Sequence, residues 1–94
     1  MPNKSEIEKF DEIWSIVMAM AKAKLWMNSH KGAITDISSA ELIIMAKGEL
    51  DELCVALEDG TYMEIIEEVA DVLNFTTAAA YGAVDKYRNR KNNG

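Results

Sequence analysis

Apolar residues recur at helical spacing in three segments of the chain and predict three helices. Residues three and four positions apart share one face of an α-helix. The first segment runs from about Ser5 to Met27, and Ile13, Ile16 and Met20 widen its apolar stripe to more than half of the circumference. We therefore expect this helix to pack on its own chain and on another chain. The main stripe consists of Ile7, Phe10, Trp14, Val17, Met18, Ala21 and Leu25.

The second predicted helix begins with a capping-box pattern. In Ser38-Ser39-Ala40-Glu41 the side chain of the first serine is expected to accept a hydrogen bond from the backbone N–H of the glutamate. The glutamate side chain is expected to accept one from the backbone N–H of that serine. The helix ends near Asp59-Gly60. Ile44 and Val55 form a second apolar patch on its far side, which indicates contact with a partner.

Thr61, with Glu64 three residues later, is expected to cap the third predicted helix, which runs to about Tyr81. Gly82 has two interpretations. It either breaks the helix or allows close packing within a helix that continues toward Arg88.

Composition limits the class of protein. A chain of 94 residues, 49% hydrophobic and with one proline, suits one helical domain, residues 1–94, whose core would be modest for an independent monomer. Cys54, the single cysteine, is expected to be a buried thiol. Since the chain has no long apolar stretch and no signal-peptide pattern, we expect a cytoplasmic protein without membrane contact.

The charge is split along the chain. The net charge is -6, yet residues 85–94 are basic while residues 41–71 carry ten acidic side chains against Lys47 alone. An acidic middle with a basic tail suits a polyphosphate ligand, whereas it would repel an extended nucleic acid. The alternative for the tail is a solvated helix end whose cations favour the helix C-terminus.

Two carboxylate pairs carry the candidate chemistry. Glu49 and Glu52, and likewise Glu68 and Asp71, are spaced three apart and so share a helix face. Around each helix, Glu49 and Glu68 fall within the apolar arc. Buried carboxylates need a cation or hydrogen bonds. The four side chains therefore predict a site for Mg²⁺, with Mn²⁺ also suitable.

The alternative interpretation is that both pairs are solvated acidic faces. Lys47, Asp51 and Glu58 illustrate such a face, because they cluster on the side of the second helix opposite the apolar arc. The inward position of Glu49 and Glu68 favours the metal site.

The run KGELDELCVALEDGTYMEIIEEVADVLNF, residues 47–75, contains both pairs. With its ExxE, short spacer and ExxD inside EEVADVL, it resembles the all-α nucleoside triphosphate pyrophosphohydrolases of the MazG-like superfamily. That superfamily includes the dimeric dUTPases and the dCTPases. The resemblance covers roughly residues 38–91, where the closing KYRNRK is similar to the basic end of short members.

The resemblance implies a fold and an activity. The fold would be a four-helix-bundle-like core of antiparallel helices, completed by a homodimer or homotetramer. The activity would be Mg²⁺-dependent hydrolysis of a ribo- or deoxyribonucleoside triphosphate to the monophosphate and pyrophosphate. Glu49, Glu52, Glu68 and Asp71 would hold two or more metal ions, and Glu49 would orient or deprotonate the attacking water.

The resemblance also suggests substrate-binding residues. Ala23-Lys24-Leu25-Trp26 is similar to an aromatic-and-lysine segment that contacts the nucleotide in the dimeric dUTPases, and Asn74 matches a polar position there. Lys24 would reach phosphate or extend to solvent, Trp26 would stack on a base or cover a partner, and Asn74 would contact the nucleotide or face solvent. The candidate phosphate-binding residues of the tail are Lys86, Arg88 and Arg90.

Two other classes of protein remain. A ferritin-like di-iron protein would use Glu-x-x-His motifs, and neither acidic helix contains histidine. A catalytically silent helical module, acting as an oligomeric interaction or regulatory protein, would show the same apolar stripes.

Overall fold

The described residues form helices and no β-strand, which confirms the predicted all-α class. The computed structural model describes residues 4–93, with side chains up to Arg90. Two 3-10 turns, Ser29–Lys31 and Ile34–Asp36, lie between the first two α-helices. The α-helices are α1 (Glu6–Met27), α2 (Ser39–Asp59) and α3 (Tyr62–Asn93).

A hydroxyl side chain caps the start of each α-helix. Each cap oxygen accepts the backbone N–H three residues later, which satisfies one of the free donors of the first turn. The distance is 3.2 Å for Ser5 with Glu8, Ser38 with Glu41 and Thr61 with Glu64. The caps predicted at Ser38 and Thr61 are confirmed.

Gly82 lies inside α3, which continues without a break to Asn93. A Cβ atom at Gly82 would lie 2.9 Å from Ser39 Oγ. That hydroxyl donates to the carbonyl oxygen of Ala79 at 3.1 Å. The structure therefore supports the second interpretation of this glycine. Gly82 lies within a continuous α3 and lets α2 pack closely against it.

The helix α3 lies between the other two. Both α1 and α2 pack on it, whereas no Cα atoms of α1 and α2 approach within 8 Å of each other in the described part of the chain. Small alanine side chains allow these close helix contacts. The core residues are Val17, Ala21, Ile66 and Ala70 on the α1 side, and Leu42, Ala78 and Ala79 on the α2 side.

Successive helices run in opposite directions, so that α1 is parallel to α3. Val17 and Ala21 pack with Ile66 and Ala70, and Lys24, later on α1, pairs with Asp71, later on α3, so both helices advance in the same direction. The long axis of the molecule is 56 Å, which exceeds the length of about 48 Å expected for α3 alone at 1.5 Å per residue. The first turns of α1 extend past the start of α3, and the last turns of α3 extend past the end of α1.

Many large apolar side chains are exposed, as expected for a small core. Those of Phe10, Ile13 and Trp14 are about half exposed. Cys54 is also exposed, so the prediction of a buried thiol is wrong, because its part of α2 faces away from α3. No helix among the described residues combines the length and hydrophobicity that a bilayer span requires.

Leu42 should be the most sensitive large core position, since its side chain is only 1% exposed. We expect Leu42→Ala to lower the free energy of unfolding by about 2–5 kcal/mol through lost burial and a residual cavity. Leu57→Ala, on the same helix at 62% exposure, should cost less than about 0.5 kcal/mol. Urea denaturation followed by circular dichroism measures both. Equal losses would contradict this description of the core.

Candidate metal centre

Three carboxylates converge where the middle of α2 faces the first half of α3. Glu49 from α2 and Glu68 and Asp71 from α3 each place one oxygen within 4.8 Å of the others. All three side chains are half-buried. The antiparallel packing of α2 and α3 produces this meeting, because it sets residues far apart in sequence at the same height along the pair.

Two oxygens of this cluster are buried and have no hydrogen-bond partner. They are Oε2 of Glu49 and Oε2 of Glu68. A buried anionic oxygen without a partner is costly, and a bound cation would remove that cost. Carboxylate oxygens are the ligands that Mg²⁺ and Mn²⁺ prefer. The residues present therefore fit a hard divalent cation.

Desolvation and mutual repulsion keep a proton on the cluster when no cation is bound. The pKa of Glu49 is raised to about 8. Burial is the largest cause, and the neighbouring carboxylates of Glu68, Glu52 and Asp71 add to the rise. Burial also raises the pKa of Glu68, with Glu52 and Asp71 adding to the rise. The two glutamates titrate together, and a cation would compete with the proton that the pair holds.

Glu52 lies at the solvent edge of the cluster. Its side chain is exposed and is not one of the three that converge within 4.8 Å. It is close enough to raise the pKa of Glu49, and it lines a cavity of about 320 Å³ together with Glu64 and Glu68. Of the four predicted metal ligands, the structure thus brings three together and sets the fourth beside them.

Lys24 neutralises one member of the cluster. Its Nζ donates to Oδ2 of Asp71 at 2.7 Å, and the two side chains are only 22% and 24% exposed. The ammonium group therefore lies at the predicted metal site. Glu49 and Glu68 are left without a positive partner among the described side chains.

A cavity of about 740 Å³ opens beside the cluster, between the end of α1, the segment 28–37 and α3. Its volume falls in the range of small-molecule sites. Lys24 and Asp71 lie on its wall next to the carboxylates. Its apolar wall is formed by Leu25, Ile34, Ile37, Met45 and Phe75.

Asn74 also lines this cavity and ties two helices together. Its Nδ2 donates to the carbonyl oxygen of Ala21 at 3.0 Å. The expectation of a solvent-facing amide is therefore wrong, because α1 covers this face of α3. The side-chain oxygen of Asn74 has no described hydrogen bond and can accept one from a ligand.

Other predicted substrate-binding residues lie away from the cluster. Trp26 is 81% exposed and does not line the cavity. Lys86 is exposed on the last turns of α3, about 22 Å beyond Asp71 along the helix axis. Arg88 and Arg90 are exposed further along, whereas the side chain of Lys91 lies outside the described residues. A single chain does not bring this basic tail to the carboxylates.

Met45 and Phe75 line the cavity, although they are not among the substrate-binding residues predicted from the sequence. The spacing of the two residues in the sequence could have indicated this position. Met45 precedes Glu49 by four residues and Phe75 follows Asp71 by four, so each shares a helix face with a candidate ligand.

Comparison of the chain with protein-family models, with curated proteins and with solved structures gives no match.

The raised pKa of Glu49 predicts an unusual pH dependence for the metal-free protein. Between about pH 4.5 and pH 8 the folded chain holds a proton that the unfolded chain releases. The free energy of unfolding should therefore fall as pH rises through this window, by up to about 1.4 kcal/mol per pH unit. Urea denaturation with a chelator, between pH 5 and pH 8, measures this slope. Glu49→Gln should flatten it, and Glu58→Gln should leave it unchanged.

Metal binding should be visible as stabilisation. We expect Mg²⁺ or Mn²⁺ to raise the melting temperature at pH 8, because a cation that binds only the folded state stabilises it. Glu68→Gln should raise the melting temperature of the metal-free protein by removing repulsion, and should abolish the response to metal. Asp51→Asn, on the solvent face, should keep the full response. Equal responses in the two variants would indicate general surface binding of ions.

Proposed function

We propose that this chain is a MazG-like nucleoside triphosphate pyrophosphohydrolase that depends on Mg²⁺. The observation that carries the proposal is the pair of buried, unpartnered oxygens of Glu49 and Glu68 beside a cavity of nucleotide size. The run of residues 47–75 that resembles this superfamily supplies all three converging carboxylates.

The charges around the cavity support a phosphate ligand. Glu49, Glu68 and Asp71 would hold the cation, with Glu52 at the edge, and bound Mg²⁺ would supply neutralisation of the triphosphate charge. Lys24 adds a cation on the same wall. With a cation held at Asp71, the ammonium group of Lys24 would be available to a phosphate oxygen.

The rest of the cavity suits a nucleoside. The apolar wall would exclude water from a base, and the free acceptor of Asn74 would bind a sugar hydroxyl. Trp26 and the basic tail lie outside this cavity, so their predicted contacts with substrate stay predictions that another chain would have to complete.

In the proposed reaction, a water oxygen attacks the α-phosphorus and the bond to the bridging oxygen of the β-phosphate breaks. The products are the monophosphate and pyrophosphate. Glu49 would orient the water and accept its proton once a bound cation has displaced the proton that the metal-free cluster holds. The choice of this bond comes from the family resemblance.

The exposed apolar surfaces support self-association as a homodimer or homotetramer, which would complete a four-helix-bundle-like core. A cytoplasmic location also belongs to the proposal. The same surfaces would serve a silent interaction module, so activity has to decide between the two functions.

A pyrophosphate-release assay over canonical and modified nucleoside triphosphates, with and without Mg²⁺, tests the proposal. We expect release only with Mg²⁺. Glu68→Gln and Asp71→Asn should each lower turnover by about 100-fold or more, through loss of a cation ligand. Glu58→Gln and Asp51→Asn are matched controls on the solvent face and should keep turnover.

Three results would contradict the proposal. These are an absence of turnover on every nucleotide with Mg²⁺ bound, release of orthophosphate in place of pyrophosphate, and full turnover in a folded Glu68→Gln variant. The first would favour the silent module, the second a different phosphate bond, and the third a different site.

A further inference from the structure

The ion pair of Lys24 with Asp71 connects the cavity to the candidate metal centre. The Lys24 side chain leaves the last turn of α1, and its Nζ donates to Oδ2 of Asp71 on α3 at 2.7 Å. Both side chains are mostly shielded from solvent. Solvent and salt therefore weaken this pair less than the exposed pairs that Lys4 and Lys9 form near the start of α1.

The lysine compensates one carboxylate of the three that converge. The pKa values of Glu49 and Glu68 are shifted by burial and by neighbouring carboxylates, and by no basic side chain of the described residues. The two buried oxygens without a hydrogen-bond partner also belong to these glutamates. The ammonium group of Lys24 is thus a monovalent counter-ion at Asp71, within a cluster that otherwise lacks one.

A divalent cation and the ammonium group would compete for Asp71. Mg²⁺ binds at about 2.1 Å from a carboxylate oxygen, and Nζ of Lys24 already lies 2.7 Å from Oδ2. A cation on either oxygen of Asp71 would therefore lie within a few ångströms of a positive charge. Repulsion at this distance is strong in a site that is partly shielded from water, which favours departure of the lysine from Asp71.

The cavity offers the ammonium group a second position. Lys24 lines the cavity of about 740 Å³ next to Asp71, and its four methylene groups let the charged end move while the backbone stays in place. The backbone is fixed nearby, because Asn74 donates to the carbonyl oxygen of Ala21 at 3.0 Å, three residues before Lys24. A swing of the side chain is therefore sufficient, and α1 need not move.

The charges on the cavity wall favour an anion as the new partner of the lysine. Lys24 and Lys31 line the cavity, against the two aspartates Asp36 and Asp71. When a divalent cation is held at Asp71, the wall carries a net positive charge. A phosphate group, which accepts charge-assisted hydrogen bonds from ammonium groups, suits this wall.

We propose that Lys24 is an exchangeable counter-ion that couples cation binding to phosphate binding. Without ligands it pairs with Asp71. When a divalent cation binds Asp71, the ammonium group transfers to a phosphate oxygen in the cavity. The inference rests on the proposed function for the identity of the two ligands, and it gives Lys24 a positioning role that is separate from bond cleavage.

The two ligands should then strengthen each other's binding. Cation binding alone separates a shielded ion pair and leaves the ammonium group without a partner, whereas a phosphate supplies a new partner. Phosphate alone should bind weakly, because Lys24 is engaged with Asp71 and the carboxylates repel an anion. Linkage makes the effect reciprocal, and such coupling commonly changes each affinity by about 5–150-fold.

Binding of Mn²⁺ with and without inorganic phosphate tests the coupling. Electron paramagnetic resonance of free Mn²⁺, calibrated in the same buffers without protein, gives the dissociation constant at pH 8. For the wild type, we expect phosphate to lower the Kd for Mn²⁺ by at least about fivefold. The measurement involves no nucleotide and no turnover.

Variants of Lys24 assign the coupling to this side chain. Without phosphate, Lys24→Met should bind Mn²⁺ at least about fivefold more tightly than the wild type, because no ammonium group competes, and its gain from phosphate should be smaller. Lys24→Arg keeps the positive charge and should retain the coupling. Lys22→Met is the matched control, since Lys22 is exposed on the same helix and does not line the cavity, and it should behave as the wild type.

The inference fails on any of three results. These are a wild-type affinity for Mn²⁺ that phosphate leaves unchanged, a folded Lys24→Met variant that binds Mn²⁺ no more tightly than the wild type without phosphate, and an equal gain from phosphate in both proteins. Circular dichroism establishes that each variant is folded, and the first result needs no variant.

Failure of the coupling and failure of the reaction are distinguishable. Coupled binding without release of pyrophosphate from any nucleotide would keep the inference and overturn the reaction. Release of pyrophosphate by a protein whose Mn²⁺ affinity ignores phosphate and Lys24 would overturn the inference alone. An absence of Mn²⁺ binding in both buffers would overturn the metal site together with the inference.

Discussion

Repulsion and desolvation among the inward carboxylates of α2 and α3 are the constraint on which the site depends. Glu49 and Glu68 each bury an oxygen that no donor in the described chain satisfies. Such oxygens keep a proton or bind a cation. Retention of a proton corresponds to the rise in the pKa of Glu49 to about 8. Binding of a cation corresponds to the proposed Mg²⁺ site.

The central position of α3 determines where the carboxylate cluster is accessible to a ligand. Both α1 and α2 pack on α3, and a cavity opens beside the carboxylates between the end of α1, the segment 28–37 and α3. Lys24 enters it from α1 and pairs with Asp71, and Asn74 fixes α1 by its bond to Ala21. The helix α3 therefore supplies two of the three converging carboxylates, a wall of the cavity and the anchor of α1.

The sequence by itself determined the helices, their caps at Ser38 and Thr61 and the inward direction of Glu49 and Glu68, because these follow from local hydrogen bonds and a 3.6-residue period. Only the tertiary structure decided which side chains meet. The ion pair of Lys24 with Asp71 and the separation of the basic tail from the carboxylates depend on the register of helices distant in sequence. A helical period assigns each residue to a face, but packing decides what lies opposite it.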